Sequence, residues 1–175
     1  MDSPTIHASA VLVGARAVVV RGPSGAGKSR LVLAVIEAAA AGRLAFARLV
    51  ADDRVHVEAV HGRVIARPPA ALAGLLEVRG LGIVRLPFEA AAAVALVVDL
   101  GVTGAPRLPD AAHARTDVAG VTLPRLGVPP GCDPLPLVLA AAATPGPAES
   151  GTGHFAAFQR PCAWPTCGPG TSVGR

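Results

Sequence analysis

Residues 22–29 read GPSGAGKS, and no other stretch of the chain limits its fold so sharply. The pattern G-x-x-x-x-G-K-S needs a strand leading in and a helix leading out. Its glycines let successive backbone N–H groups turn inward as an anion nest. The helix that follows adds free N–H groups and the positive end of its dipole. Gly22, Pro23, Ser24, Gly25, Ala26, Gly27, Lys28 and Ser29 are therefore assigned to the phosphates of a nucleotide. Lys28 is placed to reach the terminal phosphates, and the Ser29 hydroxyl to ligate Mg2+. Lysine and arginine together number 16, and Lys28 is the single lysine among them. A sequence that otherwise uses arginine for positive charge has lysine where the loop requires it.

The flanking segments fit. Residues 11–21, VLVGARAVVVR, read as two short strands joined at Gly14-Ala15, the second running into the loop. Beyond Ser29, the apolar residues Leu31, Val32, Leu33, Val35 and Ile36 make a helical pattern, followed by an Ala run to Gly42. Residues 43–51 are an apolar segment ending on Asp52-Asp53. Residues 55–60 and 63–66 alternate and are joined by His61-Gly62, a hairpin signature. Residues 70–76 read as a short helix or turn, and residues 78–84 enclose RGLG. Residues 93–100 are a buried strand, 121–126 a further strand, and 135–143 a helix. The expected class is α/β, with a mixed central sheet flanked by helices. Residues 1–143 are expected to form one domain. From 144 onward Pro, Gly, Ser and Thr dominate without apolar periodicity, so residues 144–175 are expected to be a disordered tail.

Composition narrows the partners. Apolar residues make up 51% and charged residues 16%, enough for a single core, and aromatics only 3%, so that core is built from Val, Leu and Ala. Net charge is +4, but the arginines are scattered and there is no aromatic stacking platform, which argues against nucleic acid. No signal-peptide pattern opens the chain and no apolar run reaches spanning length, so a cytoplasmic protein without membrane contact is expected. Cys132, Cys162 and Cys167 match neither a disulfide framework nor a zinc spacing and read as incidental thiols.

A metal-nucleotide site needs a carboxylate beside the loop serine, and a transferase needs a proton acceptor. Two places compete on residue pattern. VALVVD, ending at Asp99, looks like an apolar strand closing on a metal-holding aspartate. LVADD places Asp52 and Asp53 side by side. Adjacent carboxylates repel, which suits one to proton transfer and the other to a metal.

Taken in order, His7, GPSGAGKS, LVADDRV at 49–55 and LLEVRGLGI at 75–83 resemble the catalytic domain of HPr kinase/phosphorylase. The resemblance runs over about residues 5–143, and EVRGLG is its most specific part. It implies a P-loop fold related in its nucleotide site to phosphoenolpyruvate carboxykinase, assembled as a hexamer. It implies ATP and Mg2+ as cofactors and the carrier protein HPr as partner. A serine of HPr would be phosphorylated, and inorganic phosphate would remove that group in reverse. By the same resemblance Asp52 is the catalytic base and acid, with His7 beside it. Lys28 and Ser29 keep their loop roles, Asp53 and Glu77 lie near the metal, and Arg79 to Gly82 form the signature loop. Arg107, in PRLP, resembles an arginine on a flexible loop that serves phosphorolysis.

Some features depart from the family. Six residues precede His7, so the N-terminal domain of longer members is expected to be absent, as in the short alphaproteobacterial forms, where HPr belongs to a regulatory phosphorelay. The segment AAAAGRLAFAR lengthens the path to LVADD, and no family match follows residue 143. Two other readings stand beside this one. A P-loop small-molecule kinase would need an arginine-bearing lid, for which Arg107, Arg115 and Arg125 are available. A non-catalytic nucleotide-binding regulator would keep the loop and have no need of Asp52.

Overall fold

The strand segments are rich in Val and Ala, and the way these alternate decides the architecture. A computed structural model describes residues 4–143 of the protein. Among the described residues the chain order is β1 (Thr5–Val13), β2 (Arg16–Arg21), α1 (Lys28–Ala40), β3 (Ala47–Ala51), β4 (Arg54–Val60) and β5 (Arg63–Arg67). A single 3-10 turn (Ala70–Leu72) leads to β6 (Leu75–Val78), β7 (Gly82–Arg85), β8 (Ala92–Leu100), β9 (Arg115–Val118), β10 (Val121–Val128) and α2 (Leu135–Ala143).

The main sheet is mixed. β2, β8 and β10 run parallel, so their C-terminal ends meet at one edge, where β2 gives way to the GPSGAGKS loop. The remaining pairings are antiparallel. Two long strands each serve three partners along their length. Thr5 to His7 of β1 pair with β4, while its later residues pair with β2 and β3. Ala92 and Ala93 of β8 pair with β5, and its later residues with β2 and β10. The path β2-β1-β4-β5-β8 therefore closes on itself through the β2–β8 ladder.

Closure divides the core in two. One cluster mixes small and β-branched residues, with Ala8, Ala10, Ala17, Ala51, Ala66 and Ala92 among its buried members. Valines such as Val19, Val50, Val64 and Val97 fill the space between them. The opposite face carries Val11, Val18, Val20, Leu96 and Val98, and it receives Leu31, Val32 and Val35 of α1 and Val138 of α2. Each such Val or Leu taken fully from water contributes about 1.5–3 kcal/mol. The mixed sheet thus agrees with the sequence, but the helices cover one face only; the other is enclosed by the sheet itself.

Other differences have local causes. β9, RTDV, escapes the sequence reading because only Val118 is buried, so no alternation shows. β1 starts well before residue 11, since its first half interleaves polar with small residues. In the 70–76 segment the 3-10 turn ends early and β6 begins at Leu75. The His61-Gly62 turn is as expected, with φ of +48° and +74°, the two positive values that a two-residue hairpin turn demands. The proposed tail, residues 144–175, with Cys162 and Cys167, lies outside the described residues. No helix among the described residues is long and apolar enough to cross a membrane.

Candidate active site

The loop leaves β2 at Gly22, whose φ is +150°. A Cβ there would come within 3.0 Å of the Leu100 carbonyl oxygen and 3.1 Å of the Leu100 Cβ. Only glycine fits that approach. Gly25 and Gly27 also hold positive φ, and Gly27 caps α1. No side-chain bond caps α1 there, and its first turn holds no acidic residue. An N-terminus left in this state suits an anion. Lys28 is only 6% exposed, and its Nζ donates to the carbonyl oxygens of Gly22 at 3.0 Å and Pro23 at 3.1 Å. Ser24, Gly25, Ala26, Gly27, Lys28 and Ser29 line a cavity of about 430 Å³, a size suited to a small ligand.

Asp52, at the end of β3, is 4% exposed and faces the start of α1. Its Oδ1 accepts from Ser9 Oγ at 2.6 Å and Ser29 Oγ at 2.8 Å. Its Oδ2 lies 3.0 Å from the same Ser29 Oγ and accepts the Glu77 N–H at 3.1 Å. Both oxygens are thus occupied from inside the protein. Ser9 is the residue that sequence reasoning missed. The available signal was a hydroxyl inside the apolar run of β1, at a position now seen to be 0% exposed.

Asp53 behaves differently. A tight turn, closed by the Arg54 N–H on the Asp52 carbonyl at 2.7 Å, puts Asp53 at φ +63°. A non-glycine residue in that region costs about 1–2 kcal/mol. The turn sends adjacent side chains opposite ways, and the Asp53 side chain is 64% exposed at the cavity. His7 pairs with Arg54 across the β1–β4 ladder, which brings its Nε2 to 3.5 Å from Asp53 Oδ1. The histidine expected beside Asp52 therefore stands beside Asp53.

The β6–β7 hairpin supplies the third wall. Its base is anchored by Leu76, 0% exposed, and its Glu77, Val78 and Arg79 line the cavity. Arg79 Nη2 lies 3.6 Å from the point where a Cβ on Gly25 would sit, so the guanidinium hangs over the loop. His7, Lys28, Ser29, Asp52, Asp53 and Glu77 are thereby gathered in one place.

Two candidates are elsewhere. Asp99 accepts from Arg21 Nε at 2.7 Å, from Arg21 Nη2 at 2.9 Å and from Arg125 Nε at 2.5 Å. Burial alone would push the Asp99 carboxyl up; the hydrogen bonds and charges of Arg21 and Arg125 outweigh it and hold the carboxyl below its ordinary value. It ties strand ends together rather than serving Ser29. Arg107 sits exposed in the segment between β8 and β9 and is not among the residues lining the cavity.

The donor set fits a magnesium nucleotide. The groups nearest Ser29 are oxygen ligands, the preference of Mg2+. Among the described residues no three His, Cys, Asp or Glu side chains form a metal cage by themselves.

Comparison with known proteins points one way. A family model described as the HPr Serine kinase C-terminal domain matches residues 2–99, more than half of the chain. HPr kinase/phosphorylase of Clostridium tetani is 38% identical over 82 residues, which is 47% of this chain and 25% of that protein. The same-named protein of Lactobacillus acidophilus is 36% identical over 81 residues, 46% of this chain and 23% of its own length. The match thus spans about a quarter of these relatives. The solved structure of the HPr(Ser) kinase/phosphatase from Coxiella burnetii superposes with a TM-score of 0.64 at 23% identity, covering 79% of this chain and 87% of that one. At that identity the likeness speaks for the fold, while the family model, on sequence, reaches the phosphate loop, the aspartate pair and EVRGLG together: the chain belongs to the HPr serine kinase C-terminal domain family.

Proposed function

We propose that the chain is an ATP-dependent protein serine kinase acting on HPr, and that it also runs the reverse phosphorolysis with inorganic phosphate. One observation carries the reading: two neighbouring aspartates face one phosphate loop in opposite states. Asp52 is buried, with both oxygens bonded, while Asp53 is exposed beside His7.

From that contrast we infer an exchange of the two roles expected from the sequence, both aspartates lining the same cavity. A buried carboxylate already accepting from Ser9, Ser29 and Glu77 is badly placed to take a proton from a docking protein. It is well placed to hold the Ser29 hydroxyl toward the metal. Asp53 is reachable from solvent and is the better proton acceptor. In the forward direction the serine proton passes to Asp53 as the serine oxygen bonds to the γ-phosphorus and the bond to ADP breaks. In reverse, Asp53 returns the proton to the serine oxygen as inorganic phosphate takes the phosphoryl group, releasing pyrophosphate. His7 steadies Asp53 between the two states. Loop amides, Lys28 and Arg79 position the phosphates, and Ser29, with Asp52 and Glu77 behind it, would hold Mg2+, which would supply charge neutralisation.

The test is transfer of label from ATP to HPr in the presence of Mg2+. Asp53→Asn is expected to abolish transfer while leaving nucleotide binding intact, and Asp52→Asn to weaken Mg2+-dependent nucleotide binding. Transfer by Asp53→Asn at the parent rate would return the base to Asp52. Label moving only to a small acceptor would favour the small-molecule kinase. That alternative loses one lid candidate, since Arg125 is engaged with Asp99. The same reading makes residues 1–143 a cytoplasmic catalytic domain with a nucleotide site of the phosphoenolpyruvate-carboxykinase kind. It makes the assembly a hexamer, which light scattering would measure, and assigns Arg107 to phosphorolysis, which Arg107→Ala would impair selectively.

A further inference from the structure

Ser9 is fully buried, on a strand whose neighbouring side chains are apolar. By strand alternation it shares a face with Val11 and Val13, the face that α1 covers. A hydrophobic side chain would suit that face, and a buried hydroxyl needs a reason. Its partner is Asp52, and the contact of 2.6 Å is the shortest that Asp52 makes.

The geometry of that carboxylate gives the reason. Ser9 holds Oδ1 from β1, and the Glu77 N–H holds Oδ2 from β6. Ser29 Oγ lies between, 2.8 Å from one oxygen and 3.0 Å from the other. Two donors on opposite oxygens fix the plane of the carboxylate. A fixed plane in turn fixes the direction in which Ser29 donates its proton, and so the direction in which its lone pairs remain free. Those lone pairs are what a hard cation needs. We propose that Ser9 is a positioning residue: acting through Asp52, it aims the Ser29 hydroxyl and so sets the affinity of the site for Mg2+ with nucleotide. This rests on the functional reading above only in taking the ligand to be a magnesium nucleotide.

The test uses the full chain and a fluorescent ADP analogue, titrated with and without Mg2+. Partners behind a metal ligand typically contribute about 10–100-fold to affinity. Ser9→Ala is expected to raise the Mg2+ concentration for half-maximal nucleotide binding by about tenfold and to leave binding in EDTA unchanged. Ser9→Thr, which keeps the hydroxyl, is expected to restore the parent value. In an Asp52→Asn background, Ser9→Ala is expected to add nothing. Equal losses with and without Mg2+, or a Ser9→Ala effect of full size in the Asp52→Asn background, would overturn the proposal. If Ser9→Ala does not fold, Ser9→Cys, whose thiol is a weak donor, must show the same Mg2+-specific loss. An Mg2+ effect without transfer to HPr would sustain Ser9 and sink the kinase reading. Transfer to HPr with unaltered Mg2+ dependence in Ser9→Ala would do the reverse.

Discussion

Replacing Asp99 by Ala should unfold the chain far more readily than its position outside the cavity suggests. The carboxylate is 14% exposed and joins the ends of three parallel strands, through Arg21 of β2 and Arg125 of β10. Arg21 also donates to Thr116 of β9 at 3.0 Å. Removing one partner of a buried ion pair costs about 3–5 kcal/mol because the other charge is stranded. Here two guanidiniums are stranded, but they are 29% and 23% exposed. Exposed pairs contribute only about 0–1 kcal/mol, so partial screening brings the expected loss to about 2–3 kcal/mol. For a domain of this size that is a fall of about 6–12 °C in Tm. Thermal melts followed by circular dichroism at pH 7 would measure it. Adding Arg21→Met to Asp99→Ala should recover part of the loss by removing one stranded cation. The effect also has a pH signature. The Asp99 carboxyl is held below its ordinary value in the folded chain, so its contribution is complete above the unfolded value of about 3.9 and is lost as pH falls through the folded value. The gap between parent and variant should therefore be widest near neutrality and should close below about pH 4. A fall of less than about 2 °C at pH 7, or a gap that widens in acid, would refute the argument.

Gly22→Ala should destabilise the loop by about 1–3 kcal/mol, since the new Cβ meets the Leu100 carbonyl oxygen at 3.0 Å; nucleotide binding by calorimetry should be lost with it. Gly74→Ala is a matched control away from the loop: its Cβ would lie 3.0 Å from Phe88 Cδ1, so Tm should fall while nucleotide affinity of the folded fraction stays put. Lys28→Met should keep the helix, because the side-chain stem remains buried, yet reduce phosphoryl transfer by about 100-fold or more; retained activity would remove Lys28 from the phosphates. His7→Gln should lower the transfer rate at saturating ATP without changing nucleotide affinity, and a loss of affinity alone would place His7 on the ligand instead of beside Asp53.

The sequence shows some of these features and hides others for definite reasons. GPSGAGKS announces its strand, turn and helix because each glycine answers a backbone demand that no other residue meets. The His61-Gly62 hairpin is legible on the same ground. The closing of the sheet is not legible, because nothing local in β1 or β8 reports that each changes partner midway. The two aspartates are visible as a pair, but their opposite exposure goes with a single positive φ at Asp53, which residue pattern does not encode. Asp99 shows how pattern misleads: an aspartate ending a buried strand looks like a metal ligand until Arg21 and Arg125, distant in sequence, arrive beside it.

The β6–β7 hairpin forms its own two-stranded sheet, with no ladder to the larger one among the described residues. It is joined to the rest by Leu76 in the core, by Val78, Val84 and Leu86 packed against that core, and by the Glu77 N–H on Asp52. Asp52 grips the start of α1 with the same carboxylate. The hairpin and the start of α1 therefore share one buried acceptor. One buried side chain thus links the wall that carries Arg79 to the helix start that carries Ser29, and losing the Asp52 carboxylate would release both at once.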